Sequence, residues 1–551
     1  MNMPVSLDPI TVEVIESAFA SLVEEMGESL IKASYSTNIK ERRDCSTALF
    51  DARGQTLAQA EHIPIHLGSL IGIVEEVLKR YPEHSISDGD MFIGNDPYAG
   101  GGSHLPDMVV VSPVFVQGRL MGFVSNLAHH ADFMDRGHAH IFQEGLRIPP
   151  IKIFHKDELQ EDILNLILYN CQVPDERRGD FQAQFAANKL GIKRFHELCR
   201  RFGADTVCEA GAASLDYTER KTRVAISDIP DGVYSFRDRF DSPDLSEILQ
   251  LQVALKVRND EMQLDFSGNP PQGRHGLNIV WTALLATVYY ALKTLIDPTI
   301  RPNAGFYRPI KVVAPRGSIL NCCEPAAVEA RTQTCQRVVD LIHGALAPVI
   351  PERVTAAHNG ANTAIHFGGI HPRTNRYYTY LETLGGGFGA RATKDGLDGV
   401  QAHITNTSNL PIEALEQEYP LMIERYELIQ DSGGPGRWRG GLGLLREVKL
   451  LETECSFHFS GTRLQTAPWG LFGGHEGGRA EIIIRRASDK KRADGNALLF
   501  PGDSVIVKTA GGGGYGPPKE RCRQLVKRDL REGKISKQKA KEIYGLQIDE
   551  S

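Results

Sequence analysis

At 551 residues the chain is too long for one hydrophobic core, so two to four lobes are expected. Its composition, 41% hydrophobic and 24% charged, is that of a globular protein, and a formal charge of −7 speaks against a general nucleic-acid binder. No long basic tract, secretory leader or charge-free span of membrane length is visible, so a cytoplasmic protein with no membrane attachment is expected. Nine cysteines without a C-x-x-C pair fit free thiols in a reducing compartment.

In chain order, residues 9–37 read as an amphipathic helix, with Val12, Ile15, Phe19, Leu22, Met26 and Leu30 at helical spacing. Residues 44–58 read as a hairpin turning at Asp51–Gly54. A second amphipathic helix is expected over 68–80, then a strand, a glycine-rich loop and two strands over 89–123. Residues 157–201 should be mainly helical. Strand patterns follow around 224–235 and 248–265, then an apolar helix over 278–295, a strand over 310–314 and a helix over 326–346, stopped by Pro348 and Pro351. Beyond Leu421 short strands alternate with Gly433-Gly434, Gly440–Gly443, Gly473-Gly474 and Gly511–Gly514, which are expected to form tight turns. A charged helical tail follows Pro518.

The chemistry concentrates in His104-Leu105-Pro106-Asp107 and His129-His130-Ala131-Asp132. Neutral imidazoles and carboxylates suit zinc or manganese, and such an ion generates a hydroxide nucleophile. The apolar runs Met108–Phe115 and Leu120–Val124 read as strands. If they pair, the two clusters either converge or lie at opposite ends, and the sequence leaves this open. Asp44, just before a strand, is the candidate further acid. The plainer alternative is that these histidines are hydrogen-bonded loop residues. His62 and His66 have a helical zinc-pair spacing, but Pro64 between them argues against a helix, leaving a pocket-lining or structural role. His138 and His140 fit an exposed loop. Gly385–Gly389 with Arg391 could cradle an anion or simply turn. Neither that segment nor Gly511–Gly514 ends in Gly-Lys-Ser/Thr, so no nucleotide site is expected in this chain.

The ordered motifs Glu41-Arg42-Arg43-Asp44-Cys45-Ser46, His62-Ile63-Pro64-Ile65-His66, Asn95-Asp96-Pro97-Tyr98, His104–Asp107, His129–Asp132, Glu144–Pro150, Gly385–Arg391 and Asp431-Ser432-Gly433-Gly434 together resemble the hydantoinase B family. That family includes the B subunits of ATP-dependent N-methylhydantoinase, the C-terminal half of 5-oxoprolinase, the caprolactamase beta subunit and the acetone carboxylase alpha subunit. The resemblance implies a subunit that works with an ATP-binding A subunit in a hetero-oligomer such as A2B2. ATP is held by the A subunit, which phosphorylates the oxygen of a cyclic amide. The B subunit then hydrolyses the ring C–N bond at one divalent ion (zinc, manganese or iron). By position the metal ligands would be Asp44, His104, Asp107 and His129. His130 and Asp132 would be catalytic, orienting ligands or shuttling protons. Arg43, His66, Tyr98 and Arg391 would contact substrate or anion. Other readings are an alpha-type subunit of an ATP-dependent ketone carboxylase and a non-catalytic, metal-stabilised partner of the ATPase. Many hydrolytic relatives have Gly-Gly shortly after the His-His-Ala-Asp run, where this chain has Phe133-Met134-Asp135-Arg136-Gly137.

The expected fold is α+β and multi-lobed: an α/β metal-binding lobe over 1–205, a central α/β lobe over 206–420, and a β-rich, Gly-rich lobe over 421–551 with a helical tail.

Overall fold

The structure is a computed structural model that describes residues 7–60, 62–130, 139–486, 490–492 and 495–547. The fold is α+β with several sheets. Its contacts divide the chain into two units: Met1–Val233 with Lys256–Asp265 and Gln272–Arg331, and Tyr234–Leu255 with Phe266–Pro271 and Thr332–Ser551. Among the described residues no helix is long and apolar enough to cross a membrane.

The first unit is built on helix α1 (Pro9–Ala33), strands β1 (Cys45–Asp51), β2 (Thr56–Gln59), β3 (Met91–Gly94), β4 (Asp107–Val116), β5 (Arg119–His129), β6 (Ile151–His155) and β7 (Glu158–Leu159), and helix α2 (Pro174–Phe202). Helix α1 starts where Asp8 accepts the Thr11 N–H at 3.2 Å and Pro9 occupies the first turn. It ends at Ala33, short of the expected 37. Asp180 of α2 accepts the N–H groups of Tyr35 (2.8 Å) and Ser36 (3.1 Å), pulling that backbone out of the helix. The region expected to turn to strands at 224 is still helical to Ser227, and the strand starts at Gly232. The helix expected from 326 starts at Arg331.

The seven strands form one antiparallel sheet in the order β2-β1-β5-β4-β3-β6-β7. Side chains alternate between its faces. Val109, Val111, Phe123 and Leu127 pack with Ile73, Val74 and Val77 of helix Ile71–Arg80. Met108 and Val110 pack on the other side against Phe181 and Phe185 of α2. With both faces covered, β4 reads as a continuous apolar run rather than an alternating one. Each fully buried side chain of this kind contributes roughly 1.5–3 kcal/mol. The register pairs Asp107, the first residue of β4, with His129, the last of β5, and Cys45 with Ala128. The two histidine clusters therefore converge at one end of the sheet, beside Asp44.

In the second unit a four-stranded sheet (Thr363–Ile370, Tyr377–Leu384, Cys455–Ser460, Ala497–Leu499) and a five-stranded sheet share a core that includes Phe367, Tyr380, Phe457, Val448 and Val507. The clusters Gly511–Gly514 and Gly440–Gly443 are not the expected turns, since none of these glycines has a positive φ. They are extended segments lying side by side: Gly387 N–H donates to Ala510 O, Gly441 N–H to Phe388 O, and Gly512 N–H to Gly441 O, at 2.8–2.9 Å. Glycine is needed for close approach, because a Cβ on Gly511 would stand 1.8 Å from the Ser432 carbonyl oxygen.

Candidate metal centre

The strand register places Asp107 opposite His129, and the loop before β4 folds back on itself. A Cβ at Gly102, whose φ is +77°, would stand 2.5 Å from Asp107 Cβ. This tight loop sets His104 Nε2 3.2 Å from Asp107 Oδ1 and brings the His104 and His129 rings to 4.9 Å. One ligand atom from each of His104, Asp107 and His129 lies within 4.8 Å of the others, and all three residues are buried. His66 joins them: its Nε2 is 3.9 Å from Asp44 Oδ1 and 4.0 Å from Asp107 Oδ1, while Nδ1 lies 3.1 Å from Ser46 Oγ. Asp44 is thus attached to the three-residue centre through His66.

Asp107 presents its two oxygens differently. Oδ2 accepts from Ser103 N (3.1 Å), Ser103 Oγ (2.9 Å) and Arg331 Nη2 (3.1 Å), and Arg331 Nε in turn donates to Ser103 Oγ at 2.8 Å. Oδ1 is buried and faces the histidines, with His104 Nε2 at 3.2 Å and His66 Nε2 at 4.0 Å. Such an oxygen fits a cation better than an empty interior. Behind His129, Asn38 Nδ2 donates to its carbonyl at 2.7 Å and lies 3.1 Å from Nδ1, and Arg42 Nη1 donates to Asn38 Oδ1 at 2.5 Å.

The protonation states suit a divalent ion. Burial works to raise the Asp107 carboxyl, but His104 and Arg331 outweigh it and hold it well below the usual carboxylate range. Burial, reinforced by the neighbouring His104, pushes His129 well below the ordinary imidazole value, and burial likewise lowers His66. Burial raises Asp44, against the pull of His66 and Arg42. Near pH 7 the centre offers neutral His129 and His66 imidazoles and an ionised Asp107 carboxylate, forms that bind metal.

Other candidates from the sequence fall elsewhere. His130 follows His129 and points to the opposite face of the sheet, as strand alternation requires. Its ring lies 4.7 Å from Phe181, and Nε2 is 3.0 Å from Gln184 Oε1. Burial, with Arg177 nearby, lowers it to about 4. Arg43, at a φ of +56°, is mostly exposed and 3.8 Å from Glu28. Tyr98 donates its hydroxyl to Ala326 O at 2.6 Å and lines a cleft of ≈ 570 Å³ with Gly72, Trp281 and Arg316. None of Asp44, His66, His104, Asp107 or His129 lines that cleft. Arg391 belongs to the second unit. The N–H groups of Gly386, Gly387, Phe388, Ala390 and Arg391 all donate to carbonyls of the chain, so the Gly385–Arg391 backbone is not arranged as an anion cradle. Asp132 and His138 lie outside the described residues. Sequence reasoning missed Asn38, Ser103, Gln184 and Arg331. Ser103 neighbours His104 and carried a weak signal, but Arg331 is 224 residues from Asp107 and carried none.

The hydantoinase B/oxoprolinase family model matches residues 8–518. A putative D-/L-hydantoinase B subunit from Pseudomonas sp. (strain NS671) is 33% identical, covering 99% of this chain and 96% of that one. The crystal structure of ATP-dependent caprolactamase from Pseudomonas jessenii superposes with a TM-score of 0.91 at 32% identity, covering 99% and 97% of the two chains. The nucleotide-free structure of an acetone carboxylase also reaches 0.91, at 19% identity over 99% of this chain and 80% of that one, a likeness of fold alone.

Proposed function

Because the chain belongs to the hydantoinase B/oxoprolinase family, we propose that it is the metal-dependent B subunit of an ATP-dependent cyclic amidase. In this reading it opens the ring of a hydantoin, oxoproline or lactam whose oxygen a partner A-type subunit has phosphorylated. The observation that carries the reading is the buried centre at the end of the sheet, with an ionised Asp107 beside a neutral His129. The relatives named for a hydantoinase and a caprolactamase support the substrate class.

His104, Asp107 and His129 would hold the ion, with Asp44 completing the set and His66 between them. When bound, the ion supplies a Lewis acid that brings the pKa of water toward neutrality. The chain's own residues prepare the site for this. Arg331 and Ser103 occupy one oxygen of Asp107 and leave the other to the centre. Asn38 and Arg42 fix His129 from behind. Burial removes competing bulk water and strengthens each of these contacts. His130, turned to Gln184 and Phe181, ties β5 to α2 and so holds His129 in place.

The test uses the chain with its partner subunit and a panel of hydantoins, lactams and 5-oxoproline. His104→Ala should abolish ring opening while substrate-stimulated ATP hydrolysis continues. Undiminished ring opening would refute the metal-centred reading. Bicarbonate-dependent consumption of a ketone, in place of ring opening, would assign the chain to carboxylation instead.

A further inference from the structure

The second unit contains its own buried histidine–carboxylate group, which no sequence motif announces. Helix Arg331–Leu346 carries Gln336 and Asp340 four residues apart, hence on one face. His358 sits between them, with Nδ1 2.8 Å from Asp340 Oδ1 and Nε2 2.9 Å from Gln336 Oε1. Gln336 has its orientation set by its Nε2, which donates to the Ala402 carbonyl at 2.7 Å. Its Oε1 must therefore accept, and His358 Nε2 must carry the proton. In a neutral ring this leaves the Nδ1 lone pair facing a carboxylate oxygen 2.8 Å away, and only a positive charge between them makes that contact favourable. The charge is either a proton or a cation.

Two features favour a metal cation. His403 stands edge-on to His358, ring centroids 4.3 Å apart at 87°, and one ligand atom from each of Asp340, His358 and His403 lies within 4.8 Å of the others. A proton shared by Asp340 and His358 needs no third donor. The second feature is the support around the group. A histidine that binds metal through one nitrogen commonly donates the other N–H to a fixed oxygen, as His358 does to Gln336. Asp340 Oδ2 is held by Arg463 Nη2 at 2.7 Å while Oδ1 faces histidine, the arrangement Asp107 has with Arg331 and His104. The surrounding charge permits a further cation: Arg337 and Arg463 are set among Asp238, Asp241 and Asp340, two cations among three anions.

We propose that Asp340, His358 and His403 form a second divalent-metal site, separate from the one at His104, Asp107 and His129. Two imidazoles and a carboxylate select an ion of the zinc type over magnesium or calcium. Tetrahedral zinc keeps its ligand atoms roughly 3.3 Å apart, so the Asp340–His358 contact opens by about half an ångström on binding. With all three residues buried, the site is structural: it fastens helix Arg331–Leu346 to the segments carrying His358 and His403.

Metal content of the full-length protein, measured by plasma mass spectrometry, tests this. Wild type should hold two equivalents, His104→Ala one, and His403→Gln one that His104→Ala then removes. A His403→Gln protein with wild-type metal content overturns the proposal, as does a wild type that loses all its metal on His104→Ala alone. Titrating cobalt into metal-stripped protein gives an independent count. Two equivalents taken up support the proposal, and a single equivalent that His104→Ala abolishes overturns it. In the His104→Ala protein a chelator should lower the melting temperature by several degrees, and an unchanged melting temperature counts against a metal there.

Discussion

The two buried clusters use the same parts in different ways. At the sheet end, Asp107 and His129 meet because β4 and β5 pair in one register, and His104 precedes Asp107 by three residues in a tight loop. In the second unit, Asp340 comes from a helix while His358 and His403 come from separate segments. In both, a buried arginine takes one carboxylate oxygen and leaves the other to histidine. The lesson is that a clamped carboxylate is what makes such a cluster possible in a protein interior. An unclamped one would be driven toward its neutral form by burial, as Asp44 is.

The largest expected effect tests that clamp. Asp107→Ala leaves Arg331 buried without its carboxylate, and equilibrium denaturation should show a loss of about 3–5 kcal/mol. A loss under about 1 kcal/mol would mean that the clamp is not what supports the first centre. Next is the platform behind that centre. Gln184 donates to Met108 O and Asn126 Oδ1, both at 2.9 Å, and faces His130. Gln184→Ala should therefore cost about 1–3 kcal/mol in urea unfolding by leaving buried partners unsatisfied. In the same comparison His130→Phe should keep the metal at the first centre while His129→Phe loses that equivalent. The reverse result would put His130, not His129, in the centre.

Acid probes His343, whose ring lies 5.2 Å from that of His403 in the second cluster. Burial lowers His343 to about 4, and its Nδ1 accepts the Thr355 N–H at 3.1 Å. A histidine with a depressed folded pKa contributes stability that is whole above its unfolded value of about 6.5. That stability is lost as pH falls through about 4. Thermal or urea unfolding between pH 6.5 and 4 should show a slope of about 1 kcal/mol per pH unit from this group, which His343→Gln removes. The smallest effect is Arg43→Ala. With an exposed partner at 3.8 Å, it should shift stability by no more than about 0.5 kcal/mol. A larger shift, or a raised KM for the proposed cyclic-amide substrate, would give Arg43 more than a surface role.

Much of the first region was legible in the sequence because its residues are local. His104 and Asp107 sit in one four-residue run, His129 ends a strand, and Asp44 precedes one. Each is marked by the element beside it. Helix α1 was legible from its spacing, but its end was not, because a carboxylate 145 residues away from Tyr35 decides it. The glycine clusters announced constraint but not its kind. Close backbone packing and positive φ both demand glycine, and only neighbouring segments distinguish them.

By itself, then, the sequence determined the residue types, the strands and helices that carry them, and the family to which they belong. Those depend on spacing and composition over a few residues. The tertiary structure alone decided that the two histidine clusters meet, that His129 and His130 part to opposite faces, that Arg331 clamps Asp107, and that Asp340, His358 and His403 gather. Each of these depends on the register of a strand pair or on contacts between residues far apart in the chain, where no local pattern reaches.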